Sequence, residues 1–222
     1  MPTVLVVNPN STQAMTDQIA DAVRDVWRPA GFDVEVVTSQ GGPAAIQSDA
    51  DGVAAVEPML DLVAAHEADA YVVACFSDPG IDLMRERLGR PVFGIAESAL
   101  LVALGRGRRV GIVSSVAASV PRHQRYWDRL GLASRVVADI AVGHGVLELH
   151  TPEAADDVRA AARALVEEHE VDVVILGCAG LTHMRAELEA ALGVPVVDPC
   201  RAAVSAALTA LQDGVLAEGV AR

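Results

Sequence analysis

The stretches Asp69-Ala-Tyr-Val-Val-Ala-Cys75 and Asp172-Val-Val-Ile-Leu-Gly-Cys178 are built alike, each an aspartate, an unbroken apolar run and a closing cysteine. An apolar run of this length that precedes a helix-like pattern is typical of a buried parallel strand in an α/β protein. Each cysteine then lies at the carboxyl end of its strand, where open α/β sheets bind their ligands. The two stretches therefore predict an α/β fold with two thiols at equivalent strand ends.

The similarity between the two halves of the chain extends beyond these strands. Arg90-Pro91-Val-Phe-Gly94 corresponds to Val194-Pro195-Val-Val-Asp198, and Val4-Leu-Val-Val-Asn8 corresponds to Val110-Gly-Ile-Val-Ser114. The offset is 103 positions for the cysteines, 104 for the prolines and 106 for the first strands. A nearly constant offset over three segments indicates a duplicated α/β unit.

The duplication predicts two pseudo-symmetric lobes, each a parallel-sheet α/β sandwich. The chain has 222 residues, enough for two lobes of about 100 residues with a substantial core. We expect residues 1–96 and 205–222 to form the first lobe and residues 97–204 the second. The active site would then lie in the cleft between the lobes, with one thiol on each side.

Composition excludes several classes of function. The chain has 17 basic and 30 acidic residues, a net charge of -13, which argues against a nucleic acid or an anionic membrane as partner. Every basic residue is arginine. Without lysine, neither a pyridoxal phosphate enzyme nor a P-loop can be built. The expected partner is a small-molecule substrate.

The three cysteines, Cys75, Cys178 and Cys200, show no CxxC spacing and no paired histidines at zinc-ligand distance, so we expect no metal. The amino terminus enters a strand without a signal-peptide pattern, and no apolar segment is long enough for a membrane span. These features predict a cytoplasmic protein with free thiols. Cys200 follows Pro199 at a helix start and is expected to be a packing residue.

Local helix signals follow both cysteines. Ser77 or Asp78 is expected to cap a helix over residues 81–88, and Thr182 to cap a helix that begins at His183. The positive end of a helix favours thiolate over thiol. The backbone N–H groups of Ser77, Asp78, Ala179 and Gly180 are candidate oxyanion donors.

Two opposed thiols are suited to stereochemical inversion. One thiolate removes a proton beside a carbonyl, and the opposite thiol returns a proton to the other face of the planar enolate. A single free cysteine at a strand end is more often a small core residue, and a disulfide is the other structural interpretation. Equivalent positions in a duplicated unit favour the catalytic interpretation for Cys75 and Cys178.

Several motifs together resemble the Asp/Glu/hydantoin racemase superfamily, and its hydantoin racemase branch in particular. They span nearly the whole chain. They are Asn8-Pro-Asn-Ser-Thr12, Gly42-Pro43 with Ile46, Ala74-Cys-Phe-Ser-Asp-Pro-Gly80, Leu176-Gly-Cys-Ala-Gly180 and Pro195-Val-Val-Asp-Pro199.

The resemblance implies cofactor-independent racemisation of a 5-substituted hydantoin, with allantoin as an open alternative, with Cys75 and Cys178 as the acid/base pair, in a homo-oligomer. It also implies a set of residues that line the site. These are Asn10, Ser11, Ile46, Phe76, Ser77, Ser114, Ser115, Ala179 and Gly180.

The charged residues expected at the cleft indicate whether the substrate is neutral or anionic. The segments expected there contain no arginine, which favours a neutral hydantoin ring over a free acidic amino acid. Arg122 or Arg201 would weaken this argument by reaching the cleft. The segments are Asn8 to Thr12, Gly42 to Ser48, Cys75 to Gly80, Ser114-Ser115 and Cys178 to Thr182.

Other functions remain open. Aspartate or glutamate racemase, maleate isomerase and arylmalonate decarboxylase resemble this pattern, although decarboxylases of that kind have one cysteine and a small residue opposite it. A non-catalytic binding protein of the same fold has no need for both thiols. His183 is either a support for the second thiolate or an exposed histidine at a helix start, and His144 lies in a glycine-rich loop without an evident partner.

Overall fold

Two parallel sheets organise the protein. The computed structural model describes residues 1–214. The first sheet has the order β2-β1-β3-β4 and the second the order β6-β5-β7-β8, with every neighbouring pair parallel. The strands are β1 (Thr3–Asn8), β2 (Asp33–Thr38), β3 (Ala70–Val73), β4 (Val92–Gly94), β5 (Val110–Ser114), β6 (Val136–Ala141), β7 (Val173–Leu176) and β8 (Val196–Val197).

Helices connect the strands of each sheet. They are α1 (Gln13–Val23), α2 (Asp49–Ala54), α3 (Val56–Ala64), α4 (Ile81–Leu88), α5 (Ile95–Leu104), α6 (Ser119–Leu130), α7 (Pro152–Glu167), α8 (Arg185–Leu192) and α9 (Pro199–Gln212). Short 3-10 turns cover Ala133–Arg135, Val146–Glu148 and Ala179–Met184. No helix of the described part is both long and apolar enough to cross a bilayer.

The matching strand order of the two sheets confirms the predicted α/β fold of two related halves. Helix α5 packs against β5, β7 and β8, whereas α9 packs against β1, β3 and β4. Each of these helices therefore follows one sheet in sequence and contacts the other, and the two helices also pack on each other. The predicted lobe boundaries stay predictions. Of the predicted first-lobe segment 205–222, residues 215–222 lie outside the described part.

The apolar strands form the core. All four residues of β3 and all four of β7 are buried, because helices cover both faces of each sheet. One cluster of buried apolar side chains runs continuously through both halves, and a smaller one lies between the first sheet and helices α3 and α4. Because the two sheets share this core, their carboxyl-terminal edges keep a fixed position relative to each other.

Capping residues and a proline define several helix starts. Helices α2 and α3 follow each other directly, and Ser48 caps the first by accepting the N–H of Asp51. Helix α6 begins only at Ser119, so Pro121 lies in its first turn, where no intrahelical N–H is required. Helix α7 has a side-chain cap, since Thr151 accepts the N–H of Ala154.

Candidate active site

The carboxyl ends of both sheets border one small cavity. Cys75 follows β3 and Cys178 follows β7, and both side chains line it. About 30 Å³ of the cavity is accessible to the centre of a water molecule, roughly the room that two waters need. The lining residues are Asn10, Met15, Ile46, Ala74, Cys75, Phe76, Ser77, Ser115, Ser119, Arg122, His123, Val146, Gly177, Cys178 and Ala179.

Most of the predicted site residues come together here. Asn10, Ile46, Cys75, Phe76, Ser77, Ser115, Cys178 and Ala179 line the cavity. Ser11, Ser114 and Gly180 do not, although each is adjacent in sequence to a residue that does or contacts one. The duplicated strand ends thus account for both walls of the cavity.

Cys178 lies in a nearly water-free environment. Its Sγ accepts the backbone N–H of Gly180 at 3.4 Å. Burial raises the pKa of the Cys178 thiol to about 12, and the Gly180 N–H lowers it only in part. The resting form of Cys178 is therefore the thiol, which has a proton to donate.

Cys75 is less deeply buried and has more polar neighbours. Its Sγ lies 3.5 Å from the hydroxyl oxygen of Ser77. Burial raises the pKa of the Cys75 thiol, while the Ser77 hydroxyl, the charge of Arg122 and the Ser77 backbone N–H lower it. Of the two cysteines, Cys75 has the surroundings that better stabilise a thiolate.

The predicted helix caps beside the cysteines are wrong. Helix α4 begins after Gly80, which adopts a left-handed conformation with φ 71°, and neither Ser77 nor Asp78 caps it. The N–H of Asp78 donates to the carbonyl of Cys75 at 2.9 Å, and the N–H of Gly180 is engaged by Cys178, so these two groups are not free oxyanion donors. Thr182 lies inside a 3-10 turn and caps nothing.

The turn after β1 is fixed by asparagine side chains. Asn8 donates from Nδ2 to Asn10 Oδ1 and to Thr16 Oγ1, both at 3.0 Å. Asn10 Oδ1 also accepts the N–H of Thr12, which leaves Nδ2 as the donor that Asn10 can offer a ligand. The N–H of Ser11 donates to the carbonyl of Pro43, so Ser11 holds the neighbouring loop instead of lining the cavity.

A buried group of polar side chains supports the part of the cavity wall that His123 and Phe76 form. His123 Nδ1 lies 2.8 Å from Asp139 Oδ2, and the Ser114 hydroxyl donates to the same carboxylate. The His123 ring packs edge-on against Phe76 with centroids 5.1 Å apart. Ser114 is therefore a support for His123 from behind the cavity, which differs from the lining position that was expected.

Arg122 is the cavity residue that changes the substrate argument. It lines the cavity together with both cysteines, so of the two arginines named as able to reach the cleft it is the one that does, and it weakens the argument for a neutral substrate. Arg201 does not line it. Its guanidinium donates to the carbonyl of Ala22 at 2.9 Å and pairs with Asp25.

Comparison with known proteins agrees with this architecture. Residues 4–207 match the family model described as Asp/Glu/Hydantoin racemase. The chain belongs to the Asp/Glu/hydantoin racemase family. It is 34% identical over 220 residues to a hydantoin racemase of Paenarthrobacter aurescens, an alignment that covers 94% of this chain and 91% of that protein.

Two solved structures of allantoin racemases have the same fold. The enzyme of Klebsiella pneumoniae gives a TM-score of 0.92 at 29% identity, covering 96% of this chain and 89% of that chain. The enzyme of Pseudomonas fluorescens gives 0.92 at 29% identity, covering 99% and 94%. The resemblance to this racemase family that the motifs indicated is confirmed.

Within this racemase-family fold, the remaining candidate residues lie away from the cavity lining. His183 Nδ1 lies 3.1 Å from the carbonyl oxygen of Gly180 and its ring lies tilted against that of His150, so its polar contact is with the backbone and not with the thiol of Cys178. His144 Nε2 lies 2.7 Å from Asp157 Oδ2. Cys200 is completely buried in α9, as expected of a packing residue.

Seven lining residues were not among the predicted site residues. Ser119, Arg122 and His123 all come from the start of α6, and Met15 and Val146 add apolar walls. For Ser119, Arg122 and His123 the sequence does contain a signal. Pro121 is typical of the first turn of a helix, and this helix begins shortly after the end of β5. The seven residues are Met15, Ala74, Ser119, Arg122, His123, Val146 and Gly177, of which Ala74 and Gly177 directly precede the two cysteines.

Proposed function

We propose that the protein is a cofactor-independent racemase of 5-substituted hydantoins, allantoin among them. The observation that carries the proposal is that Cys75 and Cys178, from equivalent strands of a duplicated unit, line the same cavity. The hydantoin and allantoin racemases among its relatives support this choice of substrate.

In the proposed reaction, the thiolate of one cysteine takes the proton from C5 of the ring, which leaves a planar enolate. The thiol of the other cysteine then donates its proton to the opposite face of C5. The ring is unchanged except for its configuration, and the two cysteines have exchanged protonation states. The reverse reaction uses the same groups in the opposite order.

The two environments suggest which cysteine begins as base. Burial raises the pKa of both thiols, to about 12 for Cys178, and at Cys75 the Ser77 hydroxyl and the charge of Arg122 oppose that rise. We therefore assign Cys75 as the base and Cys178 as the acid in the resting protein. Substrate binding must also widen the cavity, because a hydantoin ring is larger than the space that water occupies there.

The other predicted site residues are proposed to position the ring. Nδ2 of Asn10 is placed to donate to a ring carbonyl, and the Ser77 and Ser115 hydroxyls offer further hydrogen bonds. Ile46, Phe76 and Ala179 supply apolar walls that exclude water. No metal or cofactor enters the proposed reaction, and the protein would act as a homo-oligomer in a reducing cytoplasm.

Proton exchange at C5 tests the proposal. Loss of optical rotation of an L-5-monosubstituted hydantoin is followed in deuterated buffer for the native protein, Cys75→Ala and Cys178→Ala, with Cys200→Ala as the matched control. We expect rotation loss and deuterium at C5 for the native protein and for Cys200→Ala, and a decrease of at least about 10³-fold for the other two. Rotation loss that persists in either active-site variant would overturn the two-base assignment.

Racemisation of a free acidic amino acid is a second candidate, because Arg122 brings a cation into the cavity. Aspartate and glutamate carry two carboxylates and an ammonium group. Among the described residues Arg122 is the single cationic side chain of the lining, so we expect these substrates to be poorer than hydantoins. The same assay with L-aspartate and L-glutamate decides between them.

A further inference from the structure

Arg122 has hydrogen-bonding capacity that the protein does not use. Its Nη2 donates to the Ser119 hydroxyl at 3.1 Å. Its Nε and Nη1 are shielded from solvent and have no acceptor among residues 1–214. A guanidinium binds both oxygens of a carboxylate through Nη2 together with either Nε or Nη1, and Nη2 has a second hydrogen besides the one donated to Ser119.

A shielded cation without an acceptor is costly, because its donors have lost water and gained no partner. The charge of Arg122 contributes to the lowered pKa of Asp51, but that lowering is due first to the N–H of Gln47. The Asp51 carboxylate accepts the N–H groups of Gln47 and Ser48 at 3.0 and 2.9 Å and makes no salt bridge with Arg122. A ligand that supplies an acceptor would offset the free-energy cost of shielding the Arg122 donors from water.

Arg122 lies between two spaces. It lines the cavity of the cysteines and also an adjoining open cleft of about 480 Å³, and Ser77 borders both. A substituent on C5 of a ring held between the cysteines can extend past these two residues into the cleft. Arg122 is therefore at the position where a short substituent would end.

The adjoining cleft has a positive wall on an otherwise acidic protein. Arg125 and Arg129 follow Arg122 on the same face of α6 and also line the cleft. Arg125 pairs with Asp49 at 2.7 Å and Arg129 with Asp82 at 3.1 Å, both at exposed positions. Arg122 differs from them because it has no carboxylate partner among the described residues. With a net charge of -13 on the chain, a local cation is needed to attract an anion.

We propose that Arg122 is a specificity residue that binds a carboxylate on the 5-substituent, so that the preferred substrates are hydantoins with an anionic side chain. This inference rests on the proposed racemase function. Chemically, the preferred hydantoins correspond to those derived from acidic amino acids. A neutral ring lies between the thiols while its charged side chain reaches the guanidinium.

A matched pair of substrates tests this proposal. Racemisation of 5-(2-carboxyethyl)hydantoin is compared with that of the isosteric 5-(2-carbamoylethyl)hydantoin, using the native protein, Arg122→Gln and Arg122→Lys. Arg163→Gln, at an exposed position of α7, is the control for the change in net charge. Circular dichroism and thermal unfolding check that each variant folds.

The native protein is expected to favour the carboxylate over the amide by at least about 10-fold in kcat/KM. Arg122→Gln should lower kcat/KM for the carboxylate by about 10- to 100-fold more than for the amide, and this difference should lie mainly in KM. A smaller loss that both substrates share is expected because the charge of Arg122 also lowers the pKa of Cys75. Arg122→Lys should retain part of the preference, because it keeps the charge and loses the fork. Arg163→Gln should behave like the native protein.

Two outcomes would overturn the proposal. One is a native protein without preference for the carboxylate. The other is an Arg122→Gln variant whose kcat/KM falls by the same factor for both substrates, which would assign Arg122 to the thiolate or the enolate alone. If the native protein racemises neither hydantoin, the proposed function fails, and calorimetric binding of both compounds to the Cys75→Ala/Cys178→Ala variant, with and without Arg122→Gln, still decides whether Arg122 selects the carboxylate.

Discussion

The hydroxyl of Tyr126 donates a 2.8 Å hydrogen bond to the carboxylate of Asp78, and this contact joins the loop after Cys75 to helix α6 of the other half. The two oxygens of Asp78 also accept the N–H groups of Ala96 and Glu97, both at 3.0 Å, at the start of α5. Asp78 has φ 45°, a left-handed conformation that Asp tolerates better than most residues. Its side chain thus ties together three segments around the cavity.

Replacing Asp78 by Asn should destabilise the protein by about 1–3 kcal/mol, because the amide group cannot accept all of these donors. Burial, opposed by the backbone N–H groups of Ala96 and Glu97, raises the pKa of Asp78 to about 7, above its usual 3.8. Between these pH values the folded state keeps a proton that the unfolded state has lost. The contribution of Asp78 to the free energy of unfolding therefore falls as pH rises from 4 to 7.

Denaturant unfolding at several pH values checks both parts. The difference in free energy of unfolding between the native protein and Asp78→Asn should shrink as pH rises from 4 to 7. Asp82→Asn, at an exposed position, is the matched control. It should neither lower the free energy of unfolding nor show a difference from the native protein that changes with pH. An equal difference at all pH values would contradict the raised pKa of Asp78.

The rate of racemisation should rise with pH. Burial raises the pKa of Cys75, so only a minor fraction of this thiol is ionised at neutral pH. As pH increases, the thiolate fraction and with it kcat/KM should increase until Cys75 is ionised. Replacing Ser77 by Ala removes the hydroxyl that lowers this pKa and should shift the rising limb to higher pH.

The pH profile of kcat/KM measures this shift, and ultraviolet absorbance of the thiolate in a Cys178→Ala background measures ionisation of Cys75 directly. Ser134→Ala, an exposed serine far along the chain, is the control. A profile that falls with pH, or one that Ser77→Ala leaves in place, would be inconsistent with Cys75 as the initial base.

Gly177 is required for the position of Cys178. A Cβ at this residue would lie 2.7 Å from the carbonyl oxygen of Val113, on the neighbouring strand, and 2.8 Å from the side chain of Ile112. The backbone of the paired strands cannot shift to make room for this Cβ. Gly177→Ala should therefore lower the free energy of unfolding by about 2 kcal/mol or more and displace the thiol of Cys178. We expect a lower midpoint of denaturant unfolding together with a loss of kcat.

Gly52 is the matched control for Gly177. It lies within α2, and a Cβ there would meet nothing within 4 Å. Since glycine disfavours a helix, Gly52→Ala should stabilise the protein by about 0.5–1 kcal/mol and leave turnover unchanged. If both variants have the same unfolding midpoint, the close contact at Gly177 is not what limits that position.

The parts of the fold that the sequence predicts are those with local signals. The apolar runs before Cys75 and Cys178 identify buried strands, and the repeat of these runs predicts matching sheets and a shared site. Contacts between distant segments have no such signal. Nothing in the sequence near Asp78 indicates that its acceptors serve Ala96 and Tyr126, so it was interpreted as a helix cap.

Arg122 shows the same limitation. Its position depends on where α6 begins and on how that helix lies against the cavity, and neither follows from residue spacing. The strand-end loops contain no arginine, and the sequence leaves open whether Arg122 or Arg201 reaches the cavity; the structure places Arg122 there. A side chain as long as arginine reaches a site from an element that the loops alone do not identify.

Asp139 should be important for activity although it does not line the cavity. Its carboxylate holds His123, whose ring packs against Phe76 in the cavity wall, and it also accepts the Ser114 hydroxyl. Asp139→Asn removes the anionic partner of a buried imidazole, and we expect kcat/KM to fall by about 10-fold and the protein to lose about 1–3 kcal/mol of stability. Asp128→Asn, an exposed acid on α6, is the matched control. Hydantoin racemisation and urea unfolding of both variants measure the effect, and an Asp139→Asn protein with native turnover would mean that the wall keeps its shape without this carboxylate.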